Sequence, residues 1–329
     1  MHPRIFHNLP PPLFLPATAD SAPNDAILLF NQGHYRAAAE AVAGRLSQPP
    51  PPSQEELLRL FHTRLIALVK LNHISLAATE AYAFEDVQSP YYRIENTDEC
   101  ILPWELRVLV IRLQSLGHSG TKGGGVGTLY ELVREARVSC RDARSSDNEM
   151  IWRRRLEQLG WITVEMLIEG GDLKGAMRQM KGLKVRGREE QWANRMALLL
   201  MKTGDLDGAR RALDQIDGST RTLEAVLKIC EGETSASAKI LDEVDSTIAS
   251  ANNIAIADFY GGHVEKSVDT LSLLVQEGKI NREAIFNLST CYELMAEHAV
   301  KERKQQLIQK VGKNVQSKDG ALDPTDFKI

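Results

Sequence analysis

The densest run of residues able to cradle a phosphate is Gly117-His118-Ser119-Gly120-Thr121-Lys122-Gly123-Gly124-Gly125-Val126-Gly127-Thr128. A nucleotide loop requires the order G-x-x-x-x-G-K-[ST] after a strand, so that main-chain N–H groups and the lysine converge on phosphate oxygens. Here Thr121 precedes Lys122, and the upstream Leu106, Leu109, Val110 and Leu113 keep helical spacing. The run reads as a flexible Gly-rich insertion over 117–127, and no cofactor-binding residue is assigned. The eight histidines form no H-x-x-x-H pair and the four cysteines no C-x-x-C pair, so no metal ligand is assigned either. His34, His73 and His263 read as solvated turn residues. Asp172 and Asp205 could pass for paired acids, but each follows a glycine and opens an apolar helical run, the place of a helix-capping aspartate. No serine or cysteine lies in a nucleophile motif. Arg153-Arg154-Arg155 could meet acidic lipid or a partner, although a solvated helix face accounts for it. No catalytic residue emerges, and the chain does not read as an enzyme.

The elements that position these residues repeat. Gly171-Asp172-Leu173-Lys174-Gly175-Ala176 and Gly204-Asp205-Leu206-Asp207-Gly208-Ala209 are one phrase, Gly-Asp-Leu-x-Gly-Ala, written twice thirty-three residues apart, each between two apolar helical runs. A period of about 33–34 residues with a turn between two helices is the signature of a tetratricopeptide-type repeat. Weaker copies stand at Gly33-His34-Tyr35-Arg36-Ala37-Ala38, at Asn72-His73-Ile74-Ser75-Leu76-Ala77 and at Gly262-His263-Val264-Glu265-Lys266-Ser267. The expected fold is all-α: an α-solenoid of tetratricopeptide-type helical hairpins wound into an irregular right-handed superhelix. In such hairpins Gly33 permits the left-handed backbone that ends one helix, and Gly171, Gly204 and Gly262 hold the same turn place. Tyr35, Leu173, Leu206 and Val264 plug the gap beneath the turn, and the small Ala38, Ala176, Ala209 and Ser267 let the two helices approach. The first helix of each pair lines an inner surface, which makes Trp161, Glu165, Asn194, Leu198, Met201, Ile256 and Phe259 the candidate partner-binding groove.

Along the chain, residues 1–23 carry six prolines and read as a disordered arm, in which Leu9-Pro10-Pro11-Pro12-Leu13 could serve as a polyproline ligand. The solenoid is expected over 24–312, clearest at 149–217 and 248–277, with a shortened hairpin at 218–246. Capping boxes are read at Ser53–Glu56 and Ser146–Glu149. The last helix, with Lys301, Glu302, Arg303 and Lys304, reads as a solvated cap, and 313–329 as a frayed tail. A formal net charge of −4 lacks the basic balance of a nucleic-acid binder. Scattered cysteines suit reduced thiols, and no apolar run approaches the ~18 residues of a membrane span. A chain without leader or anchor is expected, one that meets membranes only through partners.

Four stretches then carry a family likeness: Phe61-x-x-Arg64-Leu65-x-Ala67-Leu68-Val69-Lys70-Leu71, Trp152-Arg153-x-Arg155-Leu156, Ala251-Asn252-Asn253-x-Ala255 and Phe286-Asn287-Leu288-x-Thr290-x-Tyr292-Glu293-Leu294. In this order they resemble the C-terminal tetratricopeptide-repeat region of subunit 12 of the transport protein particle (TRAPP) complex, over roughly residues 25–312. The resemblance implies a noncatalytic scaffold subunit of a TRAPP III-type complex, which tethers vesicles and promotes nucleotide exchange on a Rab1/Ypt1-type GTPase in ER–Golgi traffic and autophagy. It further implies contacts with subunits 8, 11 and 13, and a cytoplasmic location peripheral to early Golgi and ER–Golgi intermediate membranes. The departures are the absence of a long N-terminal region, the Gly-rich insertion and the short 218–246 hairpin. The alternative is a free-standing co-chaperone or peptide-binding adaptor.

Overall fold

The computed structural model describes residues 6–11, 25–95, 99–117, 124–143, 145–183, 187–215, 221–244, 247–279, 281–295, 299–314, 322 and 324–328. Among them the chain forms sixteen α-helices and three short 3-10 segments, with a single antiparallel bridge between Arg93 and Cys100. The helices form two compact units. The first holds α1 (Ala26–Asn31), α2 (Tyr35–Ser47), α3 (Gln54–Lys70), α4 (Ile74–Ala81), α5 (Trp104–Gly117), α6 (Gly124–Arg141), α7 (Ser146–Glu169) and α8 (Leu173–Lys181). The second holds α9 (Glu189–Thr203), α10 (Leu206–Leu213), α11 (Arg221–Cys230), α12 (Thr234–Asp242), α13 (Ile248–Tyr260), α14 (Val264–Gln276), α15 (Arg282–Met295) and α16 (Val300–Asn314). Within each unit consecutive helices pack pairwise. In the second, α9 also touches α11, α11 touches α13, and α13 touches α15. That is the stacking of a helical-hairpin solenoid, in which one hairpin cannot bury both faces and its neighbour completes the core.

Six hairpin turns share one backbone conformation. Gly33, Asn72, Gly171, Gly204, Gly232 and Gly262 have φ of 86°, 62°, 80°, 82°, 82° and 85°. Each N–H at these positions donates to the carbonyl three residues back, and the next N–H donates to the carbonyl five residues back, at 2.9–3.0 Å for the longer link (His34 to Leu29, Asp205 to Leu200, His263 to Asp258). This is the Schellman motif, which satisfies the last carbonyls of one helix while the following residue already caps the next. Asn takes the glycine place at 72 because its short polar side chain tolerates the left-handed region. The all-α tetratricopeptide-type solenoid expected from the sequence is thus built on a repeated turn.

The repeated phrase has a second physical reason. The side chains of Asp172 and Asp205 accept from the N–H of Gly175 and Gly208, each at 2.8 Å. A Cβ on Gly175 or Gly208 would sit 2.2 or 2.4 Å from that same carboxylate. The two turns with glycine at this place are the two with a capping aspartate. Where it holds Ala37, Ala236 or Lys266, the cap residue is His34, Glu233 or His263, and no side-chain cap bond forms.

Several expectations need correction. The Gly-rich stretch is not a loop throughout. Gly124, Gly125 and Gly127 begin α6, and a Cβ on Gly125 would meet that of Ser115 in α5 at 2.4 Å, so this glycine serves a close helix crossing. Residues 118–123, including Lys122, lie outside the described residues. The second capping residue is Ser145, not Ser146; its Oγ accepts from Asn148 N–H at 3.2 Å. The arm is not wholly disordered: Phe6 and Leu9 pack on the core formed by α3–α7. The tail is not simply frayed: Phe327 is fully buried and Leu322 packs against the same core. Lys304 in α16 is buried, where a solvated face was expected, and its Nζ donates to Glu293 at 2.7 Å and to the Lys328 carbonyl at 3.0 Å.

Candidate protein-interaction surface

The turn residues behave as one set. Ala38, Ala176, Ala209 and Ser267 are all 0% exposed. Tyr35, Leu173, Leu206 and Val264 are half-buried two residues after their glycine. The Tyr35 ring rests 5.2 Å from that of Phe30. The hairpin expected at 218–246 turns at a residue the sequence reading did not name: Gly232 has Thr234 in the plug place and Ser237, fully buried, in the small-residue place. The signal was a glycine followed five residues later by a small residue; the polar Thr234 hid it.

Rigid turns fix the register of the first helices. In α9, Asn194, Leu198 and Met201 stand ten, six and three residues before Gly204. Ile256 and Phe259 in α13 repeat the last two places before Gly262, and Asn252 the first. The same offsets from Gly232 add Thr222, Val226 and Ile229 of α11, which the sequence reading missed along with their turn. Since α11 touches both α9 and α13, these residues form a row of equivalent register positions on neighbouring first helices. Leu198 is 45% exposed, while Met201, Val226, Ile229, Ile256 and Phe259 are half-buried. Phe259 packs on the core and meets the exposed Tyr260 edge-on at 5.5 Å. Asn252 accepts from Asn287 of α15 at 2.9 Å, and the buried Oδ1 of Asn194 has no hydrogen-bond partner among the described residues. The row is apolar with amide groups at one edge, a composition suited to a polypeptide segment.

Trp161 and Glu165 occupy the same offsets before Gly171, in the first unit. Glu165 is tied to Arg112 at 2.9 Å, and Glu169 joins it at 3.4 Å. Arg153-Arg154-Arg155 is divided: Arg153 pairs with Glu149, while the Arg155 guanidinium lies over the rings of Trp152 (4.6 Å) and Trp104 (5.0 Å). Between α5 and α6, burial alone would raise the Glu135 carboxyl, but hydrogen bonds and charge from Arg107, with Arg93 beside it, hold it below the ordinary range. That pair fastens two helices. Among the described residues no cluster of three His, Cys, Asp or Glu could hold a metal ion, and no helix is long and apolar enough to cross a membrane.

The fold defines a tetratricopeptide-type helical-repeat chain, a class whose stacked helices serve protein partners. No known family profile matches the sequence. No curated protein matches it either. Among solved structures, the chain is similar to a tetratricopeptide repeat protein from Parabacteroides merdae, with 11% identity, 87% of this chain and 95% of that one covered, and a TM-score of 0.38. It is also similar to the TPR domain of P58(IPK), with 12% identity, coverage of 90% and 92%, and a TM-score of 0.21. At such scores the likeness carries no weight beyond the chain's own turn geometry.

Proposed function

We propose that this chain is a noncatalytic scaffold subunit of a TRAPP III-type tethering and exchange complex, where it holds other subunits and acts on a Rab1/Ypt1-type GTPase only indirectly. The observation that carries the scaffold reading is the row of register-matched first-helix residues in the second unit, which offers an extended apolar surface without a reactive constellation. The particular complex is supported by the four ordered sequence stretches. Three of them gain a physical role: Arg64 is buried at the centre of the first hairpins, and Asn252 and Asn287 join two neighbouring first helices. Subunits 8, 11 and 13 are the proposed neighbours. Affinity purification of the tagged chain should recover TRAPP subunits together with it, and crosslinking should map some of them to the Leu198–Ile256 row. Recovery of no TRAPP subunit would sink the assignment to that complex. Crosslinks confined to other surfaces would remove the row as its interface.

A further inference from the structure

The segment Phe6–Pro10 is bound to the first hairpins as a ligand would be. Both main-chain groups of His7 are engaged by side chains: its N–H donates to Glu80 Oε1 at 3.1 Å, and its carbonyl accepts from Arg64 Nη2 at 2.9 Å. Arg64 and Glu80, each 1% exposed, form a bidentate pair at 2.7 and 2.6 Å, and Arg64 Nη1 donates to the Ala39 carbonyl of α2 at 2.6 Å. The clamp is therefore fixed to three helices, with hydrogen-bonding capacity left over for one extended residue. The Phe6 ring lies 5.3 Å from that of Phe61, with the Arg64 guanidinium 5.1 Å from its centroid. Leu9 packs on the same core, and the Pro10 carbonyl accepts from Arg36. His7 and Asn8 are exposed. The site thus reads an aromatic residue, one main-chain unit, and a Leu-Pro step three residues later.

We propose that the α2–α4 surface is a peptide-recognition site for extended segments of the pattern Phe-x-x-Leu-Pro, and that the chain's own Phe6–Pro10 occupies it in cis as an exchangeable strap. Main-chain recognition by a buried, preorganised pair is indifferent to the residues at 7 and 8, so a second polypeptide with the same anchors satisfies it equally. The strap competes because it belongs to the same chain, and intramolecular binding of this kind has an effective concentration on the order of 1 mM. A peptide in trans must outcompete that concentration. Displacement would couple binding of a partner to release of the arm.

The test uses the full chain with a protease site placed within 17–22. A fluorescent peptide of residues 1–16 is titrated before cleavage, and again after cleavage and removal of the freed fragment. The intact chain should bind with an apparent Kd near the effective concentration, about 1 mM, and the cleaved chain at least tenfold more tightly. The same peptide carrying Phe6→Ala should lose that gain. Should the cleaved chain unfold, the uncleaved double variant Phe6→Ala/Leu9→Ala serves instead, and it should bind the wild-type peptide more tightly than the parent does. Equal binding by parent and opened chains, or equal binding of the Phe6→Ala peptide, overturns the proposal.

Discussion

The two ends of the chain fold back on the helices by opposite means. At the N-terminal end the clamp belongs to the body: Arg64 and Glu80 hold the His7 main chain, and the described part of the segment adds the Phe6 and Leu9 side chains and the Pro10 carbonyl. At the C-terminal end the segment itself supplies the anchors. Asp326 accepts from Arg282 at 2.7 and 2.9 Å, Phe327 is fully buried, and Lys328 reaches Glu293 at 2.5 Å while its ammonium lies 5.2 Å from the Phe286 ring. The difference locates the information. A main-chain clamp tolerates different sequences in the segment but not in the helices, whereas a side-chain anchor demands a particular tail.

The largest expected effect follows from removing the clamp. Arg64→Ala leaves the Glu80 carboxylate buried without its partner, and breaking such a pair costs about 3–5 kcal/mol. Urea unfolding of the first unit should show a loss of that size. The double change Arg64→Met/Glu80→Leu should recover most of it, because a well-packed apolar replacement of a buried pair is often neutral. If the double variant stayed as unstable as Arg64→Ala, the unpaired charge would not be the cause. Phe327→Ala should cost less than Arg64→Ala. Truncating a core Phe costs ~3–5 kcal/mol where the site cannot escape, but a terminal segment can undock, which limits the loss to its docking free energy. Hydrogen exchange should show α15 amides losing protection near Phe286 with the rest of the second unit unchanged.

Much of the interior was legible in the sequence, and the reason is local. A Schellman turn needs a left-handed residue, a tightly packed hairpin needs a small residue five places on, and both are written into Gly171–Ala176 and Gly204–Ala209. Gly232 was missed because Thr234 and Ser237 fill the same backbone without apolar side chains. The ends were illegible for a different reason. A run of prolines reads as disorder, and nothing in the identity of His7 announces that its main chain meets a pair sixteen residues apart on α3 and α4. The stretch Phe61-x-x-Arg64 was noticed, but only as a family likeness. Among the proposed partner-binding residues, Leu198 and Ile256 were legible on first helices of clear hairpins, whereas Val226 and Ile229 needed the turn at Gly232 first.

Interior turns supply a baseline of intermediate size. Asp205→Ala removes the capping bond to Gly208 and should cost about 1 kcal/mol, while His263→Ala at the equivalent turn should cost little. Gly208→Ala in the parent should be nearly neutral. The gain in helix propensity, about 1 kcal/mol, offsets a cap displaced by the new Cβ. In the Asp205→Ala background the same Gly208→Ala should stabilise by that full amount, and a double-mutant cycle would read the coupling. Additive effects would show that the close approach of glycine and aspartate has no energetic meaning.

The smallest effect separates the two ends most cleanly. Hydrogen bonds from Lys304 and Lys328 hold the Glu293 carboxyl below the ordinary glutamate range. A carboxyl depressed in the folded state stabilises above its unfolded value, about 4.3, and that contribution is lost as pH falls below it. Glu293 is largely exposed, so solvent screening reduces the contribution to about 0.5 kcal/mol or less. A fluorophore at the C-terminal end should therefore report release of the tail on acidification below about pH 4, with Lys328→Met weakening the dependence. Salt should act in the same direction, since it screens the exposed Lys328–Glu293 pair and hardly reaches the buried Arg64–Glu80 pair. A label on the N-terminal segment should keep its anisotropy from low to high salt while the tail label loses part of its own. Equal salt responses at both ends would mean that the buried clamp does not hold the arm.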